Sequence, residues 1–215
     1  MSKIIAFMPI KLNSERCKEK NIRLLGKKPL LQYELETLKE TGLVDDINVF
    51  CSSERVISYL PSGVNFIKRS TSLDLPSSNF TQFTKAFLEE KDADIYVLLH
   101  ATAPFITVKS MIDCITAVKS GKYDSAFCAE KIQTFLWKNN KPVNFDPVNL
   151  PRTQDLEPIY KETSGIYVFT KEVFLKYNRR IGINPYINIV SFKEAIDIDE
   201  EEDFILAQKF IDIDI

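Results

Sequence analysis

The stretch Ile4-Ile5-Ala6-Phe7-Met8 is an uninterrupted apolar run, typical of a strand that is covered on both faces of a parallel sheet. A loop follows directly at residues 9–21, with the sequence Pro-Ile-Lys-Leu-Asn-Ser-Glu-Arg-Cys-Lys-Glu-Lys-Asn. Its four cations, Lys11, Arg16, Lys18 and Lys20, follow closely on the end of the predicted strand. Because ligands bind beyond the carboxyl ends of strands in open α/β sheets, this loop is a candidate site for a polyphosphate.

Strands and helices alternate along the rest of the chain. Apolar runs predict strands at residues 47–51, 64–67, 95–99, 124–129 and 166–169. Apolar residues at helical spacing predict helices at residues 29–38, 80–87, 108–118 and 200–210. This order favours an α/β sandwich with a mostly parallel sheet flanked by helices, and a length of 215 residues suits a single domain, 1–215.

Composition excludes several classes of function. The formal net charge of −2 argues against a broad basic face, so we expect no nucleic-acid partner. No apolar run approaches the roughly 20 residues of a membrane helix, and we expect no membrane association. The cysteines are scattered without a Cys-x-x-Cys pair, which predicts reduced thiols and a cytoplasmic protein.

An acidic stretch near the end of the chain is the natural counterpart of the basic loop. In Asp197-Ile198-Asp199 two carboxylates alternate with isoleucine, so a strand there would direct both aspartates to one face. Two carboxylates plus substrate phosphates suit magnesium, and Asp197 and Asp199 are therefore the predicted Mg²⁺ ligands. A metal site combined with a phosphate-binding loop predicts nucleotidyl transfer.

The basic loop itself permits two interpretations. It lacks glycine, so it is neither a P-loop nor a dinucleotide fingerprint. Phosphate binding would rest on Lys11, Arg16 and Lys20, with Asn13 and Ser14 as further donors. The alternative is a solvated, lysine-rich surface loop. The position of Lys11 immediately after the strand argues against this alternative.

Motifs along almost the whole chain resemble the acylneuraminate cytidylyltransferase family, the CMP-N-acetylneuraminic acid synthetases. The similar segments, in order, are Asn13-Ser14 with Arg16 and Lys20-Asn21, Gly26-Lys27-Lys28-Pro29-Leu30, Arg69, Asp74-Leu75-Pro76-Ser77-Ser78, Leu98-Leu99-His100-Ala101-Thr102-Ala103-Pro104, Pro151-Arg152-Thr153-Gln154-Asp155-Leu156 and Ala195-Ile196-Asp197-Ile198-Asp199. The resemblance implies a Rossmann-like, GT-A-like nucleotide-diphosphosugar-transferase fold. It also implies a cytidylyltransferase that moves CMP from CTP to an acidic sugar and releases pyrophosphate.

The resemblance also implies roles for single residues. Lys11, Arg16, Lys20 and Asp199 would be catalytic, and Asp197 and Asp199 would hold magnesium. The nucleotide would be bound by Lys11, Asn13, Ser14, Asn21, Arg69, Pro76, Ser77 and Ser78. The acceptor would be bound by His100, Arg152 and Gln154.

Several of these residues also have a purely structural interpretation. Ser77 and Ser78 can cap the following helix, as serine before an apolar periodic run often does. Arg69 can be a solvated strand end, and His100 can be a structural histidine rather than an acid or base.

Departures from the family pattern concern the acceptor more than the nucleotide. Lys11 replaces an arginine and Glu15 replaces a lysine in the basic loop. Ile106 and Thr153 replace arginines and are expected towards the acceptor. The acceptor therefore stays open among sialic acid, related nine-carbon acids, eight-carbon ketodeoxy acids and other hydroxylated acids.

Two other functions stay open from the sequence. A nucleotidyltransferase or glycosyltransferase of the same fold would use another nucleotide. A non-catalytic nucleotide-binding protein would bind without releasing pyrophosphate.

Residues 135–158 are rich in Lys, Asn and Pro and are expected to leave the sheet as an excursion. Members of the family that this chain resembles commonly dimerise through such an excursion. The resemblance therefore implies a homodimer, with Trp137 and Phe145 in the candidate contact region.

Overall fold

The computed structural model describes residues 2–13 and 16–213. Helices lie at α1 (Leu30–Thr41), α2 (Phe80–Glu90), α3 (Val108–Lys119), α4 (Lys171–Tyr177) and α5 (Glu201–Ile213). Strands lie at β1 (Ile4–Ile10), β2 (Leu24–Leu25), β3 (Lys28–Pro29), β4 (Asp46–Cys51), β5 (Asn65–Lys68), β6 (Ile95–Leu99), β7 (Ser125–Ile132), β8 (Trp137–Lys138), β9 (Lys141–Pro142), β10 (Ile159–Thr170) and β11 (Pro185–Val190). Each helix and strand predicted from an apolar run or from helical spacing overlaps one of these elements.

Within the described residues, seven strands form the central sheet in the order β11-β7-β10-β6-β1-β4-β5. Strand β1 pairs in parallel with β4 and β6, while β10 is antiparallel to both of its neighbours, β6 and β7. The prediction of a mostly parallel α/β sandwich is confirmed. Edge strand β11, which pairs in parallel with β7, was not predicted.

The sheet is covered on both faces, which explains the uninterrupted apolar run of β1. Ile4, Ala6 and Met8 face one core cluster, to which α1 and α3 contribute their apolar stripes. Ile5 and Phe7 face a second cluster with α2 and α4, where the Phe7 and Phe87 rings stack with centroids 4.3 Å apart. Alternate residues of one strand thus fill two cores.

Local signals place the helix ends. Gly42 ends α1 in the left-handed conformation, with φ 63°. Asn79 begins α2 with a capping box to Gln82, and Thr107 and Thr170 accept backbone hydrogen bonds at the starts of α3 and α4. No helix in the described part of the chain combines the length and apolarity needed to cross a membrane.

The acidic stretch does not form the strand that would have aligned its carboxylates. Residues 196–199 belong to no element, and Ile198 N–H donates to the Thr102 carbonyl at 2.8 Å rather than to a ladder. Ile198 is fully buried in a third cluster with Phe204 and Ala207 of α5. Packing of Ile198 beneath α5 therefore holds this stretch beside the carboxyl end of β6.

Candidate functional site

Two adjoining cavities lie at the carboxyl ends of β1 and β6, and Lys11 and Lys20 line both. The first, of about 410 Å³, is lined by Lys11, Asn13, Arg16, Cys17, Lys20, Asp74, Pro76 and Asp199. The second, of about 350 Å³, is lined by Pro9, Lys11, Lys20, Asn21, Phe80, Phe83, His100, Ala101 and Thr102. The basic loop and the acidic stretch, which are far apart in sequence, thus meet at one cleft.

Lys20 and Asp199 join the two halves of the cleft. Lys20 Nζ donates to Asp199 Oδ1 at 2.9 Å and to the Ile198 carbonyl at 2.7 Å. Arg16 Nη2 also lies 3.2 Å from Asp199 Oδ1. Partial burial raises the pKa of Asp199, but the hydrogen bond and charge of Lys20, with those of Arg16, outweigh burial and hold it below the usual value. Asp199 is therefore an ionised carboxylate in the cleft.

Lys11 lines both cavities and is held in place by two contacts. Its Nζ donates to the Leu75 carbonyl at 3.0 Å and lies 5.2 Å from the centroid of the Phe83 ring. Burial, followed by the charge of Arg69, lowers the pKa of Lys11. Asn21 is buried and donates from Nδ2 to the Lys11 carbonyl at 2.9 Å, so it fixes the backbone of the loop.

Arg69 lies beneath the cleft rather than on its wall. Its side chain is fully buried, donates to the carbonyls of Phe50 and Ile10, and pairs with Asp74 Oδ1 at 2.7 Å. Asp74 and the exposed Pro76 line the first cavity. The geometry gives Arg69 a positioning role: it ties the ends of β1 and β4 to the segment that carries Pro76.

The remaining predicted nucleotide ligands are spread around this cleft. Asn13 is exposed and lines the first cavity, whereas Ser14 lies outside the described residues. Ser77 is exposed, and Ser78 Oγ donates to the Ser72 carbonyl at 3.2 Å. Helix α2 takes its cap from Asn79 instead, so neither serine is used as the cap.

Asp197 faces inwards, towards a carboxyl group on α1. Asp197 Oδ1 and both carboxyl oxygens of Glu34 are buried without a hydrogen bond from the described residues. Burial, followed by the charge of Asp197, raises the pKa of Glu34 well above its ordinary value. The carboxyl group of Glu34, next to Asp197, therefore holds its proton more tightly than an exposed glutamate does.

His100 lies between two aromatic rings at the end of β6. Its ring centroid is 5.8 Å from that of Phe80 and 5.7 Å from that of Tyr167. Burial, together with the charges of Arg180 and Lys20, lowers the pKa of His100 to about 3. A histidine with this pKa is neutral at physiological pH and does not serve there as a proton donor from a charged imidazolium.

The structure places the other predicted acceptor ligands on the excursion. Arg152 is 79% exposed and pairs with Asp155 three residues later, and Gln154 is also exposed. Neither residue lines the two cavities. Ile106, expected towards the acceptor, is instead buried in the core against Gly165.

Three residues around the cleft were not predicted. Glu34 follows the apolar spacing of Leu31, Leu35 and Leu38 on α1, so helical periodicity already indicated a buried position. Arg180 and Glu162 pair at 2.9 Å beside Tyr167. No periodic signal marks Arg180, which lies in the irregular segment between α4 and β11.

The family model described as "Cytidylyltransferase" matches residues 5–212 of this chain. The chain belongs to the cytidylyltransferase family. Among its relatives, the N-acylneuraminate cytidylyltransferase of Streptococcus agalactiae serotype III is 23% identical over 214 residues, covering 94% of this chain and 52% of that protein. A Helicobacter pylori protein, "pseudaminic acid cytidylyltransferase and UDP-2,4-diacetamido-2,4,6-trideoxy-beta-L-altropyranose hydrolase", is 24% identical over 220 residues, covering 95% of this chain and 42% of that protein. The chain thus spans about half the length of the first of these relatives, and less of the second.

Solved structures show the same fold. A CMP:2-keto-3-deoxy-manno-octonic acid synthetase complexed with CTP superposes with a TM-score of 0.76 at 16% identity, covering 100% of both chains. The nucleotidyltransferase-like α/β fold expected from the motifs is therefore confirmed, as is the family that they resemble.

Proposed function

We propose that this protein transfers CMP from CTP to a hydroxyl group of an acidic sugar and releases pyrophosphate. One observation carries the proposal: Lys11, Lys20 and Asp199 converge on one cleft at the carboxyl ends of β1 and β6. Relatives named as cytidylyltransferases for two different acidic sugars support the reaction type, and so does the synthetase that shares the fold.

The side chains of the cleft suit phosphoryl chemistry. In such transfers the protein chiefly positions the reactants and stabilises charge that develops on phosphate oxygens. Lys20 is only 12% exposed, so its charge is weakly screened, and Lys11 lines the same two cavities. Arg16, at 60% exposure, is free to exchange its carboxylate partners for a phosphate that enters from solvent.

We propose Mg²⁺ as the cofactor, held by Asp197 and Asp199. The fit rests on Asp197 Oδ1, a buried oxygen with no hydrogen-bond donor among the described residues, and on the ionised Asp199 at the cavity wall. Residues 2–13 and 16–213 contain no group of three or more His, Cys, Asp or Glu side chains suited to a metal. Two carboxylates match an ion that takes its other ligands from phosphates and water. The chemistry that the ion supplies when bound is neutralisation of phosphate charge.

Calorimetric titration of CTP, with UTP, GTP and ATP as controls, each with and without magnesium, tests the nucleotide. Magnesium-dependent preference for CTP supports the proposal, and preference for another nucleotide supports a different transferase of this fold. Pyrophosphate release with N-acetylneuraminic, pseudaminic and 2-keto-3-deoxy-manno-octonic acids then tests catalysis. CTP binding without pyrophosphate release for any of these acids favours the non-catalytic alternative.

We also propose that the protein is a cytoplasmic homodimer that uses the excursion as its contact. This segment exposes apolar side chains at Trp137, Val143, Val148 and Leu150, and an exposed apolar patch is typical of an interface. The four cysteines are buried free thiols, which suits a reducing compartment. Light scattering at micromolar concentration is expected to give the mass of a dimer, and the mass of a monomer would contradict the interface.

A further inference from the structure

We propose that Arg180 recognises the carboxylate of the acidic acceptor, an assignment that rests on the proposed function. Two of the three residues predicted to bind the acceptor, Arg152 and Gln154, do not line either cavity, and Arg152 pairs with Asp155 on the excursion. Arg180 does not line the cavities either, but its guanidinium lies 4.7 Å from the ring centroid of Phe80, which lines the second cavity.

The Arg180 guanidinium is fixed by two rings and one carboxylate. Its central carbon lies 3.5 Å from the centroid of Tyr167 and 4.7 Å from that of Phe80. Its Nη2 donates to Glu162 Oε1 at 2.9 Å, and the same oxygen accepts from the Tyr167 hydroxyl at 2.5 Å. A cation–π contact uses the face of the ring, so the N–H donors that Glu162 does not occupy stay available for a planar carboxylate.

The position of Arg180 favours the acceptor over the triphosphate. Phe80, which Arg180 contacts through its ring, lines the second cavity together with His100, and neither of these two residues lines the first. The first cavity has its own cations in Arg16, Lys11 and Lys20. The positive charge of Arg180 also contributes to the lowered pKa of His100, so the two side chains interact electrostatically.

The chemistry of Arg180 suits a carboxylate ligand. Its side chain is 23% exposed, so it is shielded from bulk water yet reachable. Within the described part of the chain, Glu162 Oε1 accepts a hydrogen bond from this guanidinium. A guanidinium has five N–H donors, which is more than one carboxylate oxygen uses. A second carboxylate can therefore bind in the bidentate mode that gives arginine its preference for such groups.

Arg180→Gln tests the assignment, with Arg179→Gln as the matched control. Arg179 is the adjacent residue, but it donates to the Gly182 carbonyl and stacks on Tyr177, away from the cavity. Pyrophosphate release is measured with whichever of N-acetylneuraminic, pseudaminic and 2-keto-3-deoxy-manno-octonic acids the wild type uses best. We expect Arg180→Gln to raise the KM for this acid by about 10- to 100-fold, as for loss of a hydrogen bond to a charged group. The Kd for CTP should stay unchanged, and the control should leave both constants unchanged.

The neutral carboxamide of the same sugar separates recognition of charge from a structural effect. The wild type should use the carboxamide poorly, and Arg180→Gln should discriminate less between carboxylate and carboxamide. Arg180→Lys keeps the charge but loses the planar fork, so it should fall between the two. Circular dichroism and thermal melting establish that each variant is folded.

Each contrary result has a distinct meaning. An unchanged KM for the acid in Arg180→Gln, or undiminished discrimination against the carboxamide, removes the assignment while the proposed function stands. Weaker CTP binding in this variant assigns Arg180 to the nucleotide instead. A wild type that releases no pyrophosphate with any of the acids removes the proposed function, and the Arg180 assignment with it.

Discussion

Lys20 Nζ and Asp199 Oδ1 lie 2.9 Å apart and join the basic loop after β1 to the acidic stretch before α5. The pair connects residues that are 179 positions apart in the sequence. It lies at the wall of the first cavity, so a ligand that binds there meets both charges. The cleft therefore combines basic and acidic side chains, as the proposed binding of a phosphate and a cation requires.

Asp199→Asn should abolish turnover while leaving the fold intact. The substitution removes a negative charge from the wall of the cleft, and loss of one such electrostatic group typically costs about 10²- to 10³-fold in rate. Stability should change by about 1 kcal/mol or less because the Asp199 side chain is 46% exposed. Pyrophosphate release and thermal melting measure the two effects.

Glu200→Gln is the control for this variant. Glu200 accepts from Arg16 Nη1 at 2.7 Å but does not line the cavity, so its neutralisation should retain turnover. Unchanged turnover in Asp199→Asn would remove Asp199 from the proposed metal site.

Asp74→Asn should weaken both the fold and nucleotide binding. Arg69 has a fully buried side chain, and Asp74 is its carboxylate partner at 2.7 Å. Removing one partner of a buried pair leaves an uncompensated charge and costs about 3–5 kcal/mol of stability. The cost should be smaller here because Asp74 is partly exposed to solvent. Chemical denaturation measures the loss, and calorimetry should show a raised Kd for CTP because Asp74 and Pro76 line the cavity.

Glu54→Gln provides the comparison. Glu54 pairs with Lys68 close by on the surface, with both side chains more than 60% exposed, and its loss should change stability little. Equal effects of the two substitutions would show that the buried pair contributes no more than a surface pair.

Glu34→Gln should increase stability at neutral pH. Burial and Asp197 raise the pKa of Glu34, so the native state binds more protons at this site than the unfolded state above about pH 4.5. The free energy of unfolding of the wild type therefore falls as pH rises through this window, and glutamine, which does not titrate, removes that loss. Urea denaturation at pH 4.5 and pH 7.5 should show the advantage of the variant growing with pH.

Glu36→Gln is the control on the same helix. Glu36 is 39% exposed and pairs with Lys28, so its substitution leaves the buried carboxyl group of Glu34 in place. A stability difference between wild type and Glu34→Gln that does not change with pH would contradict a raised pKa at Glu34.

Most of the fold followed from the sequence because its signals are local. The run Ile4 to Met8, the cap at Thr107 and the terminating Gly42 each act within a few residues of where they stand. Strand direction is different: nothing within 159–170 indicates that β10 runs antiparallel to its neighbours, since direction is set by connections elsewhere. The edge strand β11 was missed because exposed Ile187 and Ile189 alternate with buried Asn188 and Val190, which obscures the apolar pattern.

The site followed from the sequence only where charge stood next to an element. Lys11, directly after β1, and Asp199, just before α5, come together as their positions at element ends imply. Arg69 differs because its partners, the Ile10 and Phe50 carbonyls, belong to strands that are distant in sequence. Arg180 is the extreme case, since the rings that hold it come from α2 and β10.

His100→Gln should remove a component of acid sensitivity and retain turnover within about 10-fold, since removing general acid–base catalysis would cost about 10²-fold or more. The pKa of His100 is lowered to about 3 in the native state by burial, Arg180 and Lys20, against an ordinary value of 6.5. Between these values the unfolded chain binds the proton and the native chain does not, so wild-type stability falls as pH decreases below about 6.5. Because His100 is the one histidine in the chain, the variant isolates this effect.

Chemical denaturation at pH 5 and at pH 7.5, at constant ionic strength, measures the effect. The free energy of unfolding of the variant, relative to that of the wild type, should be larger at pH 5 than at pH 7.5. A stability difference between variant and wild type that is the same at both pH values would contradict the lowered pKa of His100. A large loss of turnover in the variant would show that His100 takes part in catalysis.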